Sequence, residues 1–139
     1  MSGRLRDWQC RLQACLAERR VRPFAWGSQD CALFAADCAD ACTGVDPAAD
    51  LRGTYSDALG AARVLAELGG LSGIAAARLG PEVSLLLAQP GDIGLLMNDG
   101  RECFAVCTGA MWIAPGTDGL VAVPLPRIMR AWRVSKGVT

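Results

Sequence analysis

The sequence predicts an α+β domain in which N-terminal helices pack on a C-terminal antiparallel β-meander. Three observations lead to this. Up to Gly80, apolar residues recur at helical spacing and the runs are broken by Gly and Pro. After Pro90-Gly91 the texture changes to short β-like runs separated by turn signals. At 139 residues the chain has the size of one ordinary domain, enough to bury roughly two-thirds of its unfolded surface around a single core. The expected layout over residues 1–139 is an N-terminal helix (1–22), a helical half (23–80), an antiparallel sheet (81–134) and a disordered tail (135–139).

Each element has its own signal. Over residues 4–19, Leu5, Trp8, Leu12 and Cys15 recur between charges, the pattern of an amphipathic helix, and Arg22-Pro23 ends it. A short loop follows, then a second helix starts near Asp30 with Cys31, Phe34, Ala35, Cys38 and Cys42 on one stripe. Asp37 and Asp40 are expected to face water, and Gly44 is the stop. This helix is expected to be central. Residues 56–67 read as a third helix closed by Gly69-Gly70, and residues 72–79 as a fourth stopped by Gly80-Pro81. Strands are expected at 93–97, 102–108, 111–114 and 120–123, with turns at Asn98-Asp99-Gly100 and at 115–119. Residues 131–134 would add an edge strand.

Composition excludes several function classes. Acidic and basic residues are equal at 14 each, so no basic surface favours nucleic acid or anionic lipid. No apolar run approaches the roughly 20 residues that span a bilayer, since residues 83–88 are interrupted by Ser84 and closed by Pro90, so no membrane insertion is expected. The N-terminus lacks the apolar core of a secretory signal, which points to synthesis for the cytoplasm. Seven cysteines, an odd number at irregular spacing, read as buried thiols rather than a disulfide framework.

The first chemically informative feature is Trp26-Gly27 followed by Asp30-Cys31 at the start of a helix. A thiol in a first helical turn sits among unpaired N–H groups at the positive end of the dipole, and both favour thiolate. Cys31 also lies on the apolar stripe of Phe34 and Cys38, so burial competes with reactivity. Asp30 reads as a helix cap, and Asp92, after a Pro-Gly turn, as an acceptor of local backbone N–H bonds. Cys38 and Cys42 lie four apart on a helix while Cys103 and Cys107 point to one face of a strand, so a cluster of thiols around zinc or iron–sulfur is conceivable. Structural zinc sites use closer Cys-x-x-Cys pairs on turns, and no metal or other cofactor is expected.

Order along the chain adds to this. Phe24-Ala25-Trp26-Gly27 precedes Asp30-Cys31-Ala32-Leu33-Phe34-Ala35-Ala36-Asp37. Then come Leu51-Arg52-Gly53-Thr54-Tyr55, Gly69-Gly70, Pro90-Gly91-Asp92-Ile93, Cys103-Phe104-Ala105-Val106-Cys107-Thr108-Gly109 and Ala131-Trp132-Arg133-Val134. From residue 24 to 134 this succession resembles the NlpC-type, papain-like cysteine peptidases, in particular a branch found in phage and prophage tail modules. The resemblance implies an NlpC-like fold with Cys31 at the nucleophile position. Registered on Gly109, the family histidine falls on Cys103, and the third, orienting residue falls among residues 112–114, where this chain has Trp, Ile and Ala. It also implies that Cys31 and Cys103 face each other, where a redox-dependent disulfide is conceivable.

A cysteine peptidase needs a base for its thiol and an acid for the leaving amine, and this chain contains no histidine. A carboxylate of pKa near 4, such as Asp30 or Asp92, is a poor substitute. The resemblance therefore implies a degenerate domain, a structural or assembly component of a phage tail tip. Its expected partners are the tail hub and tail-tip neighbours, and its expected locations are the virion tail and, during assembly, the host cytoplasm. The rival expectation is an active hydrolase of cell-wall peptidoglycan peptide or a tail precursor, using Cys31 with a base supplied by a partner. Trp8, Trp26, Trp112 and Trp132 read as core or core-edge residues, with Trp112 and Trp26 the interface candidates.

Overall fold

The structure is a computed structural model, and it describes residues 3–135. The expected tail therefore lies outside the described residues apart from Ser135. Four helices precede or flank a six-stranded antiparallel sheet, the predicted α+β arrangement. Helix α1 (Trp8–Arg19) begins later than the periodicity suggested and buries only Leu12 completely. Residues before it are diverted: Leu5 N–H bonds to the Cys42 carbonyl at 2.8 Å, and Arg4 reaches into the core.

Helix α2 (Cys31–Thr43) is the centre of the fold. Asp30 caps its first turn and Gly44, at φ 80°, closes it in the left-handed conformation that favours glycine. The single apolar stripe proves too narrow a description, because Ala32, Leu33 and Ala36 are buried along with Phe34, Ala35 and Cys38. A helix hydrophobic nearly all round is covered nearly all round. Asp37 accordingly does not face open water but pairs with Arg19 and, at 2.7 Å, with Arg52. Helix α3 (Ala58–Glu67) is capped by Asp57. Helix α4 (Gly70–Arg78) starts two residues earlier than expected, because Glu102, far away in sequence, accepts hydrogen bonds from its first-turn amides of Leu71 and Ser72.

The strands are β1 (Glu82–Val83), β2 (Ile93–Asn98), β3 (Arg101–Cys107), β4 (Trp112–Gly116), β5 (Gly119–Val123) and β6 (Arg130–Trp132). Strands β2 to β5 form the predicted meander, opened by a two-residue hairpin in which Asp99 and Gly100 both have positive φ. The last strand departs from expectation. Rather than lying at the edge, β6 inserts between β1 and β2, pairing Ile93 with Trp132 and Val83 with Ala131. Ala131 and Trp132 are buried, so their apolar character reflects an inner strand. The short partner β1 was too brief to show any periodicity.

The sheet separates two apolar clusters. Leu33, Phe34 and Cys38 pack with Ile93, Leu95, Phe104, Val106 and Trp132 on the helical side. Each large aliphatic or aromatic side chain buried there contributes about 1.5–3 kcal/mol. On the opposite side, Leu96, Ala105, Cys107, Trp112, Ala114, Val123 and Ile128 are covered largely by irregular chain that includes the 3-10 turns Leu85–Leu87 and Leu125–Arg127. Gly94 makes room for this layer: a Cβ there would lie 2.6 Å from Trp112 Cζ3 and 2.9 Å from Ile128 Cγ2. No single helix among the described residues is long and apolar enough to cross a membrane; α3 and α4 reach that length only as a pair bent by 53°.

Candidate functional site

The loop ahead of α2 is tied by its own backbone. Gln29 N–H bonds to the Ala25 carbonyl at 2.8 Å, and Gly27 turns at φ 85°, where a Cβ would strike the Tyr55 carbonyl at 2.7 Å. Asp30, 1% exposed, accepts from Leu33 N–H, Gly27 N–H and the Tyr55 hydroxyl, all at 2.9 Å. It is the expected cap, extended by two non-helical donors, and its carboxylate has no role left as a base. Burial and the neighbouring Asp30 charge push the Tyr55 phenol well above its ordinary value.

Cys31 follows as the first residue of α2, with its sulfur against β3. In the two-residue hairpin, Leu95 and Phe104 form a pair whose backbone groups turn away from each other, and β4 joins β3 only from Val106 onward. The outward Phe104 N–H is therefore not taken up by a neighbouring strand and donates to Cys31 sulfur. Beside it the Cys31 thiol hydrogen-bonds Cys103, so the two residues placed together by the sequence resemblance do meet. Both are free cysteines.

The electrostatics favour charge on Cys103 over charge on Cys31. The hydrogen bond to Cys103, burial and the adjacent Asp30 all push the Cys31 thiol well up, and they outweigh the Phe104 amide. The Cys103 thiol, bonded by Cys31 and facing Arg127 and Arg101, is pulled down from 9.0 to about 7 despite partial burial. Cys31 holds its proton more tightly because burial and a neighbouring carboxylate oppose its charge, whereas Cys103 has guanidinium groups for neighbours. Cys103 thus carries the thiolate character, and at Cys31 burial prevails over the helix N-terminus.

The remaining predicted site positions do not assemble. Strand alternation puts Ile113 on the helical side and turns Trp112 and Ala114 to the other face, so no polar group occupies the orienting position. Trp112, one of the two interface candidates, is 5% exposed, and its ring fills the layer opened by Gly94. Trp26 remains partly exposed, stacked edge-to-face on Phe24 with ring centres 4.8 Å apart. Cys38 and Cys42 belong to the helical cluster and Cys103 and Cys107 pack with the opposite one, and among the described residues the four do not gather into one metal-holding group. Cys38 is hydrogen-bonded by Cys15 of α1 instead. Burial pushes Cys42 up to about 11. Among the described residues no three His, Cys, Asp or Glu side chains form a group able to hold a metal ion.

Asp92 is far more than a local turn acceptor. Fully buried, it takes Gln89 N–H, Val134 N–H, Arg133 Nε at 2.9 Å and Arg4 Nη2 at 2.8 Å. The segments quoted from the sequence thus lock in pairs. Tyr55 holds Asp30, Arg52 holds Asp37, and Arg133 and Val134 hold Asp92. The roles of Arg4 and Glu102 had no local signal, since their partners lie 88 and 31 residues away. On the second face, a groove of about 420 Å³ runs between the two 3-10 turns, lined by Leu85, Leu86, Met111, Trp112 and Leu125. Cys31 and Cys103 do not line it.

Fold and site together define a small α+β domain whose buried carboxylates are satisfied from within and whose central helix opens on a thiol pair. Residues 3–134 match a family described as a domain of unknown function (DUF6950), and the chain belongs to that family. No curated protein sequence matches the chain.

Proposed function

We propose that this domain is a catalytically degenerate relative of the NlpC-type peptidases that serves as a structural or assembly component of a phage tail tip, bound to the hub or neighbouring tail proteins. The observation that carries the reading is the partner of Cys31: another thiol, Cys103, stands where a base would have to be, in a chain with no histidine. A thiol in place of the imidazole deprives the leaving amine of the imidazolium that serves as general acid in cysteine peptidases. Losing the base of a nucleophilic triad costs several powers of ten in rate. The motifs that carry the resemblance serve a structural frame through Asp30, Asp37 and Asp92. The exposed Leu86, Leu87 and Met111 beside the groove and the half-buried Trp26 suit a member of an assembly better than a freely diffusing hydrolase.

The test is genetic and structural. In the phage or prophage that encodes the chain, the protein is expected to co-sediment with purified tails. Its deletion is expected to leave tails with an incomplete tip, and Cys31→Ala is expected to restore them. Absence of the protein from tails would overturn the proposal. So would thiol-dependent cleavage of peptidoglycan stem peptides by the purified domain, abolished in Cys31→Ala.

A further inference from the structure

We propose that Cys31 and Cys103 form a redox-active dithiol that closes to an intramolecular disulfide on reaction with a small-molecule disulfide such as oxidised glutathione. The contact is already made across the junction of α2 and β3, with both sulfurs free and hydrogen-bonded to each other. Closure would join two residues on regular elements, Cys31 at the start of α2 and Cys103 within β3.

The division of labour follows from the surroundings. Cys103 is partly exposed and faces Arg101 and Arg127, which hold its thiolate and attract an anionic disulfide. Cys31, half-buried like Cys103, lies beside Asp30 and keeps its proton. In the first step the Cys103 thiolate attacks one sulfur of oxidised glutathione, forming a mixed disulfide and releasing one glutathione thiolate. In the second, Cys31 loses its proton to solvent or to a leaving thiolate and attacks the Cys103 sulfur, releasing the second glutathione. Two protein thiols are oxidised and one glutathione disulfide is reduced to two thiols, so atoms and electrons balance.

The other thiol contact does not compete on equal terms. Cys38 is 0% exposed in the main core, and Cys15 has the acidic Glu18 and Asp37 beside it as well as Arg19. Neither the attack in line with a disulfide nor an anionic reagent is favoured there. This inference does not depend on the tail-tip reading: it concerns only the chemistry of the folded chain.

The experiment equilibrates the reduced full chain with oxidised glutathione at pH 7.5, quenches with acid and alkylates remaining thiols. The linked peptides are then mapped by mass spectrometry. Cleavage before Asp37 and after Phe104 separates Cys31 from Cys38 and Cys103 from Cys107. The expected product is a Cys31–Cys103 link, reversed by dithiothreitol, that raises Tm by roughly 10 °C because it closes a long loop. Cys31→Ser is expected to stop at a Cys103–glutathione adduct, and Cys103→Ser to leave Cys31 unmodified. A first link between Cys15 and Cys38, a link between molecules through the exposed Cys10, or oxidation no faster in the folded than in the urea-unfolded chain would each overturn the proposal.

Discussion

Replacing Asp92 by Asn changes almost no volume yet should be among the most damaging substitutions available. Its two carboxylate oxygens divide the work: Oδ1 accepts from Arg4 and Val134 N–H, Oδ2 from Arg133 Nε and Gln89 N–H. An asparagine keeps one oxygen, so its amide hydrogens must face two donors on the other side. The Arg4 side chain is 0% exposed, and the substitution removes the carboxylate charge that lies 2.8 Å from its guanidinium in a buried pair. Breaking a buried pair in this way costs about 3–5 kcal/mol, a large part of the roughly 5–15 kcal/mol that holds a domain folded. With a urea m-value of about 2 kcal/mol per molar, the midpoint should fall by about 2 M at unchanged slope. Tryptophan fluorescence is the readout, since Trp8 packs under the Arg4 guanidinium at 4.3 Å. Arg133, 29% exposed, provides a graded variant that should fold in any case: Arg133→Met should lose only about 1 kcal/mol. Glu82→Gln, which breaks the solvent-exposed pair with Arg130, should leave the midpoint unchanged. A loss of less than about 1 kcal/mol for Asp92→Asn, or losses equal to those of Glu82→Gln, would refute the view that Asp92 is the electrostatic centre joining both ends of the chain to β2.

Three further outcomes are expected. Tyr55 is the only tyrosine, so absorbance at 295 nm reports it alone, and in the folded protein it should ionise well above its ordinary value of 10.0. Its raised pKa means the unfolded chain ionises first, so the associated stability is intact below pH 10 and is lost as pH rises further; Tyr55→Phe should cost about 1–3 kcal/mol at neutral pH and abolish the alkaline dependence. Gly94→Ala should destabilise by about 1–3 kcal/mol in thermal melts, because its methyl meets the Trp112 ring and Ile128 in a packed layer. Alkylation of Cys103 should rise through a midpoint near pH 7 and outpace that of Cys31, and Cys31→Ala, by removing the donor that stabilises the thiolate, should move the midpoint upward toward 9.0. A Cys31 rate exceeding that of Cys103 would return the reactive role to the helix N-terminus.

What the sequence determined by itself was whatever is carried by neighbours a few residues apart. The periodic run after Asp30 marked α2, its cap and its glycine stop. The Asp99-Gly100 pair marked the hairpin, and alternation over residues 102–108 marked β3 together with the common face of Cys103 and Cys107. The absence of histidine bounded the chemistry before any geometry was known. Only the tertiary structure decided what depends on distant partners. A three-residue run near the C-terminus carries no sign that it will slip between β1 and β2, because an inner and an edge strand of that length look alike. Trp112 and Trp26 are chemically the same side chain, and whether one is core and the other half-exposed was settled by the missing side chain at Gly94 on a neighbouring part of the sheet. The proton of the thiol pair went to Cys31 rather than Cys103 for the same reason. Local helix position favours a Cys31 thiolate, but burial, Asp30 on one side and Arg101 and Arg127 on the other act through space, and their sum is larger.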